Sequence, residues 1–144
     1  MLISITVIVA GEHLDPKGLS TILGVTPHLS RLKGDVRISP TSKNKAVSKF
    51  GLWEWRSKDP SESLSINGHI ARLKSTFVNV GCSLATLPNA EHAWIDIHIV
   101  VDEDEEETSN TSFLIDVESL STLSNLGLPV EVTVDVLHSA GRDE

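Results

Sequence analysis

The side chains here that could do chemistry are six histidines, one cysteine and twenty carboxylates, spread over 144 residues. The histidines stand at positions 13, 28, 69, 92, 98 and 138, and none pair as H-x-x-x-H or H-E-x-x-H, so there is no local zinc signature. Asp96 with His98 is the best nucleus for a site built from distant residues, because side chains two apart on a strand point the same way. Two ligands alone do not make a structural metal site. Cys82 follows Gly81 after an apolar helical stretch and has no basic neighbour in sequence to activate it, which predicts a buried structural thiol. No serine lies in a G-x-S-x-G elbow, and no glycine-rich phosphate loop is present. The acidic run at 102–107 lacks the alternating ligands and central glycine of a calcium loop. The expectation is a protein with no catalytic residue, no metal and no cofactor.

Charge is the stronger signal. The net charge is −8, but residues 1–75 hold 11 Lys/Arg against 6 Asp/Glu, whereas residues 76–144 hold 1 against 14. Eight of the twelve cations lie between Arg31 and Lys58, interleaved with Phe50, Trp53 and Trp55. That composition suits a nucleic-acid surface, but the negative whole opposes phosphate, and specific nucleic-acid modules are usually basic overall. Nucleic acid is therefore not the expected partner. The acidic half suits a basic protein partner, with Asp102, Asp104 and Glu106 as candidate contacts. The alternative is a small-ligand or anion site on the turn of Arg31, Lys33 and Asp35, with Trp53 or Trp55 as a wall. A solvated loop is the ordinary reading of a like-charge run.

These residues must be positioned by an α+β scaffold. Residues 2–10 alternate as a strand, and Asp15-Pro16 starts a short helix through Leu19, Ile22 and Leu23 to Gly24. Residues 24–55 lack sustained periodicity until a strand at 50–56; 36–38 reads as a short strand and 39–48 as a mobile loop. Ser63 or Ser65 caps the longest helix, whose stripe is Ile66, Ile70, Leu73 and Phe77, with a further turn at Leu84 and Leu87. A long strand follows at 93–101, then the acidic loop and a short strand at 111–115. Asp116 caps a helix carrying Val117, Leu120, Leu123 and Leu126, closed by Gly127, and Val130 to Val136 alternate as a half-exposed strand. The order suggests duplicated split-βαβ units of the ferredoxin-like kind, echoed by Asp15…Leu19-Ser20-Thr21…Gly24 against Asp116…Leu120-Ser121-Thr122…Gly127. We expect one domain over 1–138 and a frayed tail at 139–144: a mainly antiparallel sheet with two to three helices packed on one face.

The apolar start, 1–11, is too short to span a bilayer and lacks the basic flank of a signal peptide. With one cysteine, no internal disulfide can form, which fits a reducing cytoplasm. The order of Leu23-Gly24-Val25-Thr26-Pro27, Lys33-Gly34-Asp35, Gly51-Leu52-Trp53 before an amphipathic helix, and Gly127-Leu128-Pro129 before the last strand resembles the bacterial family called domain of unknown function 4279. The resemblance covers nearly the whole chain and implies a bacterial cytosolic α+β domain, without adding chemistry. The acidic loop and the 39–48 insert are not part of that pattern. An immunity protein for a basic toxin is one role that family resemblance admits. Together these readings predict a non-enzymatic binding or regulatory domain.

Overall fold

The structure is a computed structural model and describes residues 1–58, 64–102 and 112–137. Its elements run β1 (Leu2–Gly11), α1 (Pro16–Leu23), β2 (Leu29–Arg31), β3 (Val36–Ile38), β4 (Lys45–Val47), β5 (Gly51–Lys58), α2 (Ile66–Phe77), a 3-10 turn (Leu84–Thr86), β6 (His92–Asp102), α3 (Val117–Leu126) and β7 (Val130–Leu137). Five strands form one sheet in the order β2-β5-β1-β6-β7, and β3 with β4 makes a separate hairpin. All sheet pairs are antiparallel except β6 with β7. The α+β class and the mainly antiparallel sheet are as the sequence predicts.

β1 and β2 run the same way with β5 between them, and β5 and β6 run the same way with β1 between them. Helices α1 and α2 make these two crossings, so two split βαβ units interleave. The sequence echo does not coincide with them. It links α1 to α3, and α3 joins two adjacent strands. Both echoed segments are helix frames closed by a left-handed glycine, Gly24 at φ 66° and Gly127 at φ 71°. Only the second has a side-chain cap: Asp116 Oδ1 accepts from Ser119 N at 2.7 Å, while the Asp15 carboxylate accepts no cap hydrogen bond.

Alternation decides which face is buried. Ile5, Val7 and Val9 of β1, Trp53 and Trp55 of β5, and Ile95, Ile97 and Ile99 of β6 point to one side. There they meet Leu19 and Leu23 of α1, Ile66, Ile70, Leu73 and Phe77 of α2, and Leu123 of α3. The Phe77 ring stands edge-on to Trp55 at 5.5 Å and to Trp53 at 6.4 Å, and Trp53 Nε1 donates to Ser20 Oγ at 3.0 Å. All three helices therefore cover one face, and none lies on the other. β1 ends and β5 begins at facing glycines, Gly11 and Gly51, where a Cβ on Gly11 would stand 2.1 Å from the Asn89 carbonyl oxygen.

Several expectations change. Segment 39–48 is not simply a loop, because β4 pairs with β3. Strand β2 has no periodic signal of its own; its three residues are held by β5. No regular strand precedes α3 in 112–116. The α3 stripe is rotated: Val117 is 82% and Leu120 52% exposed, while Ser119 and Thr122 are buried beside Leu123. Asn67 of α2 causes this by holding the helix entry from both sides, Nδ2 to Leu114 O at 3.0 Å and Oδ1 from Asp116 N at 3.1 Å. With the entry fixed, short polar side chains face inward, and the Thr122 hydroxyl is satisfied by Glu118 O. Cys82 is exposed, contrary to the buried thiol expected from its apolar neighbours.

Two substitutions test the packing. Phe77→Ala should cost about 3–5 kcal/mol in urea denaturation, as expected for a buried aromatic. Gly11→Ala should cost about 1–3 kcal/mol, because the clash is with backbone that cannot swing aside. Unchanged midpoints would contradict the corresponding contact.

Candidate functional site: the open face of the sheet

The face without helices presents the alternate residues of the same strands. Ser4, Thr6 and Ile8 of β1, Glu54, Arg56 and Lys58 of β5, and Asp96 and His98 of β6 border a shallow cavity of about 500 Å³. Register carries β7 into the same face, with Glu131 beside Asp96, Thr133 beside His98 and Asp135 beside Val100. Asp96 and His98, paired on one strand by the sequence reading, do share this face, but each binds β7. Thr133 Oγ1 donates to Asp96 Oδ1 at 3.1 Å, and His98 Nε2 meets Asp135 Oδ2 at 2.6 Å.

Ser4, His98 and Asp135 thus fall in one line across three strands, since Ser4 is directly opposite His98. The line does not make an acyl-transfer site. Among the described residues no hydrogen bond joins Ser4 to His98. β1 and β6 are each paired on both sides, so their backbone N–H groups are committed to ladders and offer no oxyanion hole. A second serine–histidine pair, Ser57 Oγ to His69 Nδ1 at 2.8 Å, is buried under α2, where a substrate cannot reach it. No group of three or more His, Cys, Asp or Glu among the described residues is placed to hold a metal. The open face offers charged and hydrogen-bonding side chains in a row across four strands.

Its charge is graded. The β2–β5 side carries Arg31, Arg56 and Lys58 with one carboxylate, Glu54, which pairs with Arg56 at 3.0 Å. The β6–β7 side carries Asp96, Glu131 and Asp135, with Asp102 at the end of β6. The division between the two halves of the chain becomes a division across one surface.

The other sequence candidates are placed as follows. Asp102 closes β6, beside Leu137, while Asp104 and Glu106 lie outside the described residues. Trp53 is 0% and Trp55 7% exposed on the covered face, so neither forms a wall for the Arg31–Asp35 turn, contrary to the sequence reading. The tryptophans alternate with the open-face residues of β5, and the more apolar set took the core. Asp35 is a turn former: its Oδ2 accepts from Leu32 N at 2.8 Å. Lys33 is engaged with Glu12 through a short hydrogen bond and ion pair. The sequence reading counted Arg37 and Lys49 only among the eight cations weighed as a nucleic-acid surface, and did not single out Ser48. The signal for them was the hairpin of β3 and β4, which folds back only after residue 35.

An α+β domain with one helix-covered and one open, charge-graded sheet face is the class that this geometry defines. The chain belongs to the family described as Domain of unknown function (DUF4279), which it matches over residues 2–137. No curated protein and no solved structure gives a significant match.

Two predictions follow from these contacts. The hydrogen bond and charge of Lys33, with a smaller contribution from His13, hold the Glu12 carboxyl below its usual range. A depressed folded value means the stabilisation is present above the unfolded Glu value and is lost as pH falls through the folded one. Lys33→Ala should raise the Glu12 midpoint in an NMR titration; an unmoved midpoint would refute the pairing. Ser57→Ala should cost about 1–3 kcal/mol, because it strips a buried imidazole nitrogen of a partner. An unchanged denaturation curve would show that this bond contributes nothing.

Proposed function

We propose that this protein is a non-enzymatic binding domain whose partner is a protein with a basic, extended segment, received along the outer edge of β7. The observation that carries the reading is the state of that strand. No described residue pairs with its outer edge. Val130, Val132, Val134 and Val136 are 41–49% exposed on the side that the helices cover elsewhere. Glu131 and Asp135 stand on the other side. An exposed, apolar edge strand is a template for adding another strand.

Charge selects the occupant. Antiparallel self-pairing about Thr133 would set Glu131 of one copy against Asp135 of the other, and like charges directly opposite are destabilising. A segment alternating apolar residues with Lys or Arg satisfies both faces: its apolar side chains extend the valine row and its cations meet Glu131 and Asp135. Asp102 stands where β7 finishes and adds to the attraction, and Asp104 and Glu106, which follow it in sequence, would act as further steering charges. A bacterial, cytoplasmic immunity protein that occupies a basic toxin is a role of this kind. No helix among the described residues is long and apolar enough to cross a membrane.

The test uses two short peptides that alternate apolar residues with lysine or with glutamate. The lysine peptide should shift the amides of 130–137 saturably. Its affinity should fall about tenfold or more in the Glu131→Gln/Asp135→Asn double variant and when salt rises from about 0.05 to 0.5 M. Equal binding of the glutamate peptide, or dimerisation of the free chain through β7, would overturn the choice of partner.

A further inference from the structure

At the opposite margin of the sheet, the structure assembles a second feature that the β7 reading does not use. The hairpin of β3 and β4 folds back towards β2 and the start of β5, and together they border an open pocket of about 310 Å³. Three cations border it, Arg31 from β2, Arg37 from β3 and Lys49 from the β4–β5 link. None of the three has an ion-pair partner among the described residues, whereas the neighbouring Lys33 and Arg56 do. Between them lie apolar surfaces: Val47, Leu52 and the ring of Phe50, which is 51% exposed.

Ser48 supplies an independent observation. Its backbone is clamped to the preceding turn on both sides, with Gly34 N donating to Ser48 O at 2.8 Å and Ser48 N donating to Asp35 O at 2.9 Å. The residue is 7% exposed, and its hydroxyl is the one buried side-chain polar atom among the described residues without a hydrogen-bond partner. A buried hydroxyl without a partner is costly, and a ligand acceptor would satisfy it. Ser48 lines the same pocket as the three cations. The clamp fixes its position before any ligand arrives, which lowers the cost of binding.

We infer that this pocket is a binding site for a small oxyanion on a flat apolar body, an aryl phosphate or aryl carboxylate. Arg31 and Arg37 would take the oxyanion through their planar forks, and Lys49 would add a point charge. Ser48 would turn its hydroxyl out of this buried position to donate to the anion, and Phe50 would lie against the apolar body. The volume lies at the small end of ligand sites, which suits one ring and one anionic group. Three unpaired cations set close together repel one another, and an anion relieves that repulsion. Asp35 forms no ion pair with any of the three among the described residues; its Oδ2 accepts from Leu32 N.

The experiment titrates the isotopically labelled full chain with phenyl phosphate, benzoate and inorganic phosphate, following the amides of Ser48, Lys49 and Phe50. Phenyl phosphate or benzoate should shift them saturably below about 10 mM, and the stronger of the two assigns the anionic group. Arg31→Gln and Arg37→Gln should each weaken binding about tenfold or more while leaving the melting temperature unchanged. Phe50→Ala should bring phenyl phosphate or benzoate down to the affinity of inorganic phosphate. Ser48→Ala should weaken binding several-fold. Shifts that do not saturate with any of the three probes, or saturable binding that survives both arginine substitutions, would overturn the site. Inorganic phosphate binding as tightly as phenyl phosphate and benzoate would overturn the apolar part of the assignment.

Discussion

The contact on which this structure depends is the packing of α2 against the inward residues of β5 and β1. Phe77 stands edge-on to two tryptophans in a chain with only six aromatic residues, so half of them occupy one junction. Large rings bury the most apolar area per residue, and their edge-to-face arrangement adds a directional preference. Once Trp53 and Trp55 point inward, the strand period sends Glu54, Arg56 and Lys58 to the opposite side. The covered core and the open charged face are therefore one decision, made by one strand.

That decision also explains why the open face has the character it does. Its central strands carry short and polar side chains such as Ser4, Thr6 and Asp96, which can face water without a covering layer. Cross-strand contacts hold them in place: Thr133 to Asp96 and His98 to Asp135 join β6 to β7 where the ladder is parallel. The positive margin at β2 and β5 and the negative margin at β6 and β7 are separated by the width of the sheet. Each margin keeps its own field, and a partner of one sign would be drawn to one side.

The two margins differ in how they are finished. After β2 the chain folds back on itself, because Ser48 locks the β3–β4 hairpin to the Gly34–Asp35 turn. At β7 the strand is the last of the sheet, and its valines continue the pattern of Ile95, Ile97 and Ile99 past the point where α3 provides cover. The rotation of α3 fixed by Asn67 contributes to this, since it turns Ser119 and Thr122 inward and leaves Leu120 outside. A binding role at β7 and a pocket at the hairpin thus arise from separate features, and either can fail without the other.

The sequence by itself determined the elements whose signals are local. The alternation in β1, β6 and β7, the stripe Ile66, Ile70, Leu73 and Phe77, the Asp116 cap, a serine cap at 63 or 65 that the structure assigns to Ser65, and the closing Gly24 and Gly127 were legible because period and capping act within a few residues. The α+β class followed from their order. Tertiary structure alone decided the rest. β2 and β4 are three residues each and exist only because a partner strand supplies their hydrogen bonds. The side taken by Trp53, the rotation of α3, the exposure of Cys82 and the gathering of Arg31, Arg37 and Lys49 around Ser48 all depend on contacts between segments far apart in the chain. Spacing along a sequence carries no record of such contacts, because the same local pattern fits either face until a distant surface arrives to bury one of them.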